Sequence, residues 1–165
     1  MTQKLRFMEG MKVLPILAPA SIVTDDTINT SYVDLNHANW CTLAIHFGVI
    51  TCDTPAVTLE CSTVGSSNAT EVAIGFQYRL STAVDTDDTA AGTITTATST
   101  GVSVAASDDG KVLFIELDPS AVAGVAADMR WVRAVIDPVD ASVGIAGAVA
   151  YIETRYPGNA TISST

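Results

Sequence analysis

Residues 41–49 read CTLAIHFGV, and residues 57–62 read VTLECS. In the first stretch Cys41, Leu43, Ile45, Phe47 and Val49 are apolar, with Thr42, Ala44, His46 and Gly48 between them. Successive side chains of a strand point to opposite faces, so this alternation predicts a strand with one face on a core. The second stretch repeats it, with Val57, Leu59 and Cys61 inward and Thr58, Glu60 and Ser62 outward. Between them Thr51–Pro55 supplies a turn, because Asp53 and Pro55 are turn formers. The pair reads as a β-hairpin.

Working outward, Val72, Ile74, Phe76, Tyr78 and Leu80 make the clearest one-faced strand, opposite Glu71, Ala73, Gly75, Gln77 and Arg79. A turn cluster, Gly65–Asn68, precedes it. Lys111–Leu117 is mostly apolar, the pattern of a strand covered on both faces. Met129–Ile136 alternates, with Arg130 and Arg133 breaking opposite faces. Ser142–Tyr151 places Val143, Ile145, Val149 and Tyr151 on one side and Gly144, Ala146, Ala148 and Ala150 on the other. That small-residue side lets another layer approach closely, and Gly144, Ala146 and Ala148 are candidate oligomer contacts. No segment holds a 3.6-residue period over three turns. Asp118-Pro119-Ser120-Ala121 caps a single helical turn running to about Val125.

The predicted fold class is all-β: a single-domain β-sandwich or jelly-roll-like barrel of about eight strands with an extended N-terminal arm. Residues 1–28 are the arm and linker, 29–157 the sandwich and 158–165 a tail. Within the sandwich, residues 81–110 form a Thr/Asp-rich exposed insertion without aromatics, Lys or Arg, suited to one or two edge strands. Pro15 and Pro19 block a helix and favour polyproline or edge-strand geometry. The apolar run Val13–Ala20 is short and holds both prolines, so a signal peptide is not expected.

The chain has 165 residues, 48% hydrophobic and 16% charged, a composition that excludes intrinsic disorder. Apolar runs stay well below the roughly 18 residues of a membrane helix, so no membrane partner is expected. Eight Lys+Arg against 18 Asp+Glu give a net charge of −10, which repels phosphate backbones and argues against nucleic acid as a partner. Lys4, Arg6 and Lys12 nevertheless sit within the first twelve positions, beside Leu5, Phe7, Met8 and Met11. Lys4, Arg6, Phe7 and Met8 are therefore candidate contacts of an arm that docks on an acidic, apolar groove of a neighbour.

Chemistry-bearing motifs are scarce. The three cysteines, Cys41, Cys52 and Cys61, make an odd number with no zinc spacing. In the hairpin register Cys41 and Cys61 are diagonal, too far apart for a disulfide, and buried free thiols suit synthesis in a reducing cytoplasm. Of the two histidines, His46 lies on the polar face of its strand and His37 in the preceding loop; Cys52 with His46 lacks a third orienting group. No Gly-x-Ser-x-Gly and no phosphate loop occurs. The acidic pairs Asp25/Asp26, Asp87/Asp88 and Asp108/Asp109 read as solvated loop tips, and Asp85, Asp87 and Asp88 as opportunistic Ca²⁺ ligands at most. The sequons at Asn29, Asn68 and Asn159 read as chance in a Thr-rich chain. No catalytic, cofactor, metal or small-molecule site is expected.

The order of segments nevertheless has a likeness. Ser31-Tyr32-Val33-Asp34-Leu35, Gly48-Val49-Ile50-Thr51 and Val57–Thr63 are followed, after the variable region, by Phe114–Pro119, Trp131–Ala134 and Arg155-Tyr156-Pro157. This series resembles small virion structural proteins of tailed bacteriophages, of the capsid decoration or cement kind. The resemblance runs from Ser31 to Pro157 and transfers no functional residues. It implies an all-β, non-enzymatic protein, made in the host cytoplasm, that binds the outside of the assembled capsid on the major capsid protein, often as a homotrimer. A neck or tail ring component of the same virion is the alternative. A secreted carbohydrate-binding or adhesive sandwich is the more distant one, since Trp40 and Trp131 are isolated.

Overall fold

The computed structural model describes residues 11–22, 26–51, 55–66, 71–82, 92–138 and 144–155. Its strands are β1 (Met11–Ile22), β2 (Ile28–Asn29), β3 (Val33–Asp34), β4 (Ala38–Phe47), β5 (Ala56–Ser62), β6 (Val72–Ile74) and β7 (Phe76–Leu80). They continue with β8 (Thr95–Ala97), β9 (Val102–Ser103), β10 (Val112–Leu117), β11 (Trp131–Asp137) and β12 (Gly144–Thr154). One short helix, α1 (Pro119–Ala123), and one 3₁₀ turn (Ala106–Asp108) complete the described elements. The strands form two antiparallel sheets of six, an all-β sandwich. Sheet A runs β1-β12-β4-β10-β7-β8; sheet B runs β2-β11-β5-β6, with β3 also on β11 and β9 also on β5.

The predicted inward residues of β4 and β5 are buried: Cys41, Leu43, Ile45 and Phe47 in one, Val57, Leu59 and Cys61 in the other. The predicted hairpin between them is not formed. β4 pairs with β10 and β12 in sheet A, whereas β5 pairs with β11, β6 and β9 in sheet B. The chain between Phe47 and Ala56 is long enough to cross the core, and both strands point their apolar faces into it from opposite sides. Cys41 consequently lies opposite Leu117 and Ile152, and Cys61 opposite Val132 and Val72. Val49, expected inward, is past the end of β4 and exposed.

The run from Val72 to Leu80 divides as well. Its first three residues pair with β5 and Gln77–Leu80 with β10, so the chain changes sheet at Gly75. A Cβ there would lie 2.8 Å from the Ala97 carbonyl oxygen, which is why the crossing takes glycine. β10 is buried on one face only, through Leu113, Ile115 and Leu117, and not on both. The strand covered on both faces is β11, where Val132, Ala134 and Ile136 meet the core while Trp131 and Val135 are also buried.

Within the segment 1–28 expected as arm and linker, Met11–Ile22 is the edge strand of sheet A, antiparallel to β12, and puts Ile16 and Ile22 in the core. Pro15 and Pro19 fit this position, because an edge strand has backbone donors to spare. The register shifts at Pro15/Leu17 and Leu17/Ala20 bend that edge and blunt it against further pairing. Of the 81–110 segment, β8 and β9 are short strands at the sheet margins; residues 83–91 lie outside the described residues. Helix α1 starts as expected, Asp118 accepting from the Ser120 amide at 2.8 Å with Pro119 in the first turn.

Candidate functional site

The small-residue face of the last strand is turned inward. Gly144, Ala146, Ala148 and Ala150 are buried, the alanines within the core cluster, so the layer that approaches them is the facing sheet of the same protomer. They are therefore not available as an oligomer surface. The other side of β12 is the exposed one: Ile145 is 53% exposed, and Gly147 and Val149 are half-buried. Lys4, Arg6, Phe7 and Met8, the candidate arm contacts, lie outside the described residues, as do Cys52, Asp25, Asp85, Asp87, Asp88, Asn68 and Asn159.

The two described cysteines are unpaired and buried. Burial pushes the Cys41 thiol up to about 12, with Glu116 adding to the shift, and burial also raises Cys61. Thiols held protonated in this way are poor nucleophiles at neutral pH. Among the described residues no group of three His, Cys, Asp or Glu side chains is placed to hold a metal ion. No helix among them is long and apolar enough to cross a membrane.

Two arrangements stand out on the surface. On the outer face of sheet B, Arg133 donates from Nε to Glu60 Oε2 at 2.9 Å and from a terminal nitrogen to Glu71 Oε2 at 2.8 Å. Its guanidinium sits 4.9 Å from the Tyr32 ring centre, and the Tyr32 hydroxyl donates to Glu71. Burial, and then the bond to Glu71, push the Tyr32 phenol upward. The cluster ties together four separate stretches of chain: the one before β3, β5, the one before β6, and β11. Its chemistry is satisfied within the protomer.

The second arrangement is a groove of about 620 Å³ at one end of sheet A, between the sheet, α1 and the Gly75 crossing. Its apolar floor includes Ile74, Phe76, Leu117 and Val122, all buried core side chains showing one edge. Its polar side holds Glu116, Asp118, Gln77 and Trp40, with no basic residue in the lining. Trp40, 36% exposed, donates its indole N–H to Glu116. The groove thus offers apolar surface and two carboxylates together, which suits a partner that is both cationic and apolar.

None of the groove residues was a sequence candidate. The signal was Trp40 itself, an aromatic on the outward parity of β4, in line with Thr42, Ala44 and His46. Glu116 gave a second sign, as the one charge within Val112–Leu117.

Comparison with known proteins finds no matching family model, no matching curated protein and no matching solved structure.

Proposed function

We propose that this chain is a non-enzymatic structural protein of a tailed-bacteriophage virion, of the capsid decoration or cement type. It binds the outside of the assembled head through the major capsid protein and stabilises it, as a homo-oligomer of which a trimer is the leading form. The observation that carries the reading is the outer face of sheet A. Across four strands in register it presents Pro15, Val149, Ala44 and Phe114, and the row closes on Arg79 of β7, whose guanidinium lies over the Phe114 ring; Glu116 and His46 flank it on either side. An outward sheet face of this mixed, largely uncharged make-up suits repeated contact with a lattice better than capture of a small molecule. The sequence resemblance from Ser31 to Pro157 supplies the particular lattice. Each contact need bury only modest area, because simultaneous engagement of several subunits multiplies the affinity.

Cosedimentation of the purified protein with heads of the encoding phage is the test, with native mass by light scattering beside it. Saturable pelleting and a trimeric mass are the expected results. A protein left in the supernatant at saturating head concentration would sink the capsid reading, and a larger closed ring would move it to the neck or tail. The exposed indole face of Trp40 beside Gln77 and Asp118 favours one further reading, a carbohydrate-binding module. Glycan-array binding lost in Trp40→Ala, without pelleting on heads, would select it.

A further inference from the structure

We propose that the groove at the end of sheet A is the docking site for residues 1–10 of a second copy of this chain. Lys4 and Arg6 would meet Glu116 and Asp118, and Leu5 and Phe7 would lie on the floor around Phe76 and Leu117. The inference rests on the homo-oligomeric part of the proposed function and not on binding to heads.

Charge accounting leads there first. The chain has eight basic residues. Of the six in the described residues, Lys111 pairs with Asp108, Arg130 with Asp34, and Arg133 with Glu60 and Glu71. Arg79 stacks over Phe114, and Arg155 donates to the Ala38 carbonyl. Lys12 lies in β1, at the far edge of sheet A from β7 and β8. Lys4 and Arg6 are the remaining two. The groove, in turn, has no basic residue in its lining: Glu116 accepts the Trp40 indole N–H and meets no cation among the described residues, while Asp118 caps the Ser120 amide and has the Arg155 charge nearby.

The pattern of the segment matches the groove as well. In extended form Lys4 and Arg6 share one face and Leu5 and Phe7 the other. The groove lining offers both kinds of surface, carboxylates and apolar side chains, to the two faces of such a segment.

The origin of the segment is also favourable. Met11 opens β1 opposite Glu153, and Glu153 lies opposite Trp40, so residues 1–10 leave from the groove end of sheet A. β1 runs from that end into the sheet. Ten residues reach at most about 33 Å, ample for a neighbouring subunit. Exchange of the segment between copies makes each groove complete only in the oligomer.

Two chains test this: residues 11–165 alone, and full-length Glu116→Lys. Light scattering on each should show a single protomer, whereas the unaltered chain is oligomeric. Mixing the two should restore association, because one supplies the segment and the other the groove. The synthetic peptide MTQKLRFMEG should shift Trp40 fluorescence in the 11–165 chain, with Trp40→Phe assigning the signal. A peptide carrying Lys4→Glu and Arg6→Glu should bind about tenfold more weakly or worse. Glu116→Gln, which keeps the shape of the site, should lie between the unaltered chain and Glu116→Lys and guards against a folding artefact. An oligomer unaffected by removal of residues 1–10 would overturn the proposal. So would a mixture that stays monomeric, or peptide binding to the 11–165 chain when the full-length chain is itself monomeric, which would place the segment in its own groove. All of these readouts are made without heads. Loss of head binding with exchange intact would therefore count against the capsid reading alone.

Discussion

Sheet B carries on its outer face the cluster of Arg133, Glu60, Glu71 and Tyr32, while the same face of sheet A is crossed by Pro15, Val149, Ala44 and Phe114. Both sheets bury the same kind of inward face, so the contrast lies entirely in what points away from the core. In sheet B the outward groups spend their polarity on one another and bind separate stretches of chain together. In sheet A they leave a row with one cation, Arg79 over Phe114, and beside it two carboxylates on an apolar groove. Polarity that is satisfied within a protomer stabilises it; polarity and apolar surface left over are what a partner can use.

The common core should give the largest effect and distinguish neither sheet. Phe47, fully buried at the end of β4, should cost about 4 kcal/mol on substitution by alanine, measured by denaturant unfolding. A loss below about 1 kcal/mol would mean that the two sheets do not pack on each other there. Next comes the crossing between sheets. Gly75→Ala brings a methyl to 2.8 Å from the Ala97 oxygen and should cost about 2 kcal/mol, by the same measurement. A neutral result would show that β6 and β7 are not held by this close approach.

The comparison sharpens at Arg133. Its side chain is 11% exposed and its carboxylate partners 24%, between the surface and the buried limits. Arg133→Met should therefore destabilise by about 1–2 kcal/mol, and the loss should shrink when Glu60→Gln and Glu71→Gln are added. Val149→Thr, at the corresponding place on sheet A, should change stability by less than about 1 kcal/mol. Equal losses at the two sites would remove the distinction between the faces.

A further effect appears in alkali. Burial holds the Cys41 proton to about 12, against an ordinary 9.0. Above pH 9 the unfolded chain loses that proton first, so the Cys41 contribution to folding stability is flat below this pH and declines from there towards 12. By pH 10 the decline should be about 1 kcal/mol, and Cys41→Ala should abolish this component. A thiol reagent that labels Cys41 readily in the native protein at pH 8 would contradict the burial on which this rests.

Strand positions and their inward residues were legible in the sequence because a pleated strand alternates faces every residue, whatever its partner. Cys41, Leu43, Ile45, Phe47, Val57, Leu59 and Cys61 could be assigned to the core on that ground alone, and Asp118-Pro119-Ser120 to a helix start. Which sheet each strand joins was not legible. Alternation marks a face and not a neighbour, and two sheets around one core ask for the same pattern. That is why residues 41–62 read as a hairpin while β4 and β5 stand on opposite sides of the core. It is also why Val72–Leu80 read as one strand: Ile74 and Phe76 both stay inward as the chain passes from one sheet to the other at Gly75. The same limit governed the last strand, whose two faces were separated correctly while only the packed sheets decided that the alanine face turns inward. The groove depended on tertiary structure altogether, since Trp40, Phe76, Glu116 and Val122 come from four elements. Their apolar and acidic groups become one surface only where the ends of those elements meet.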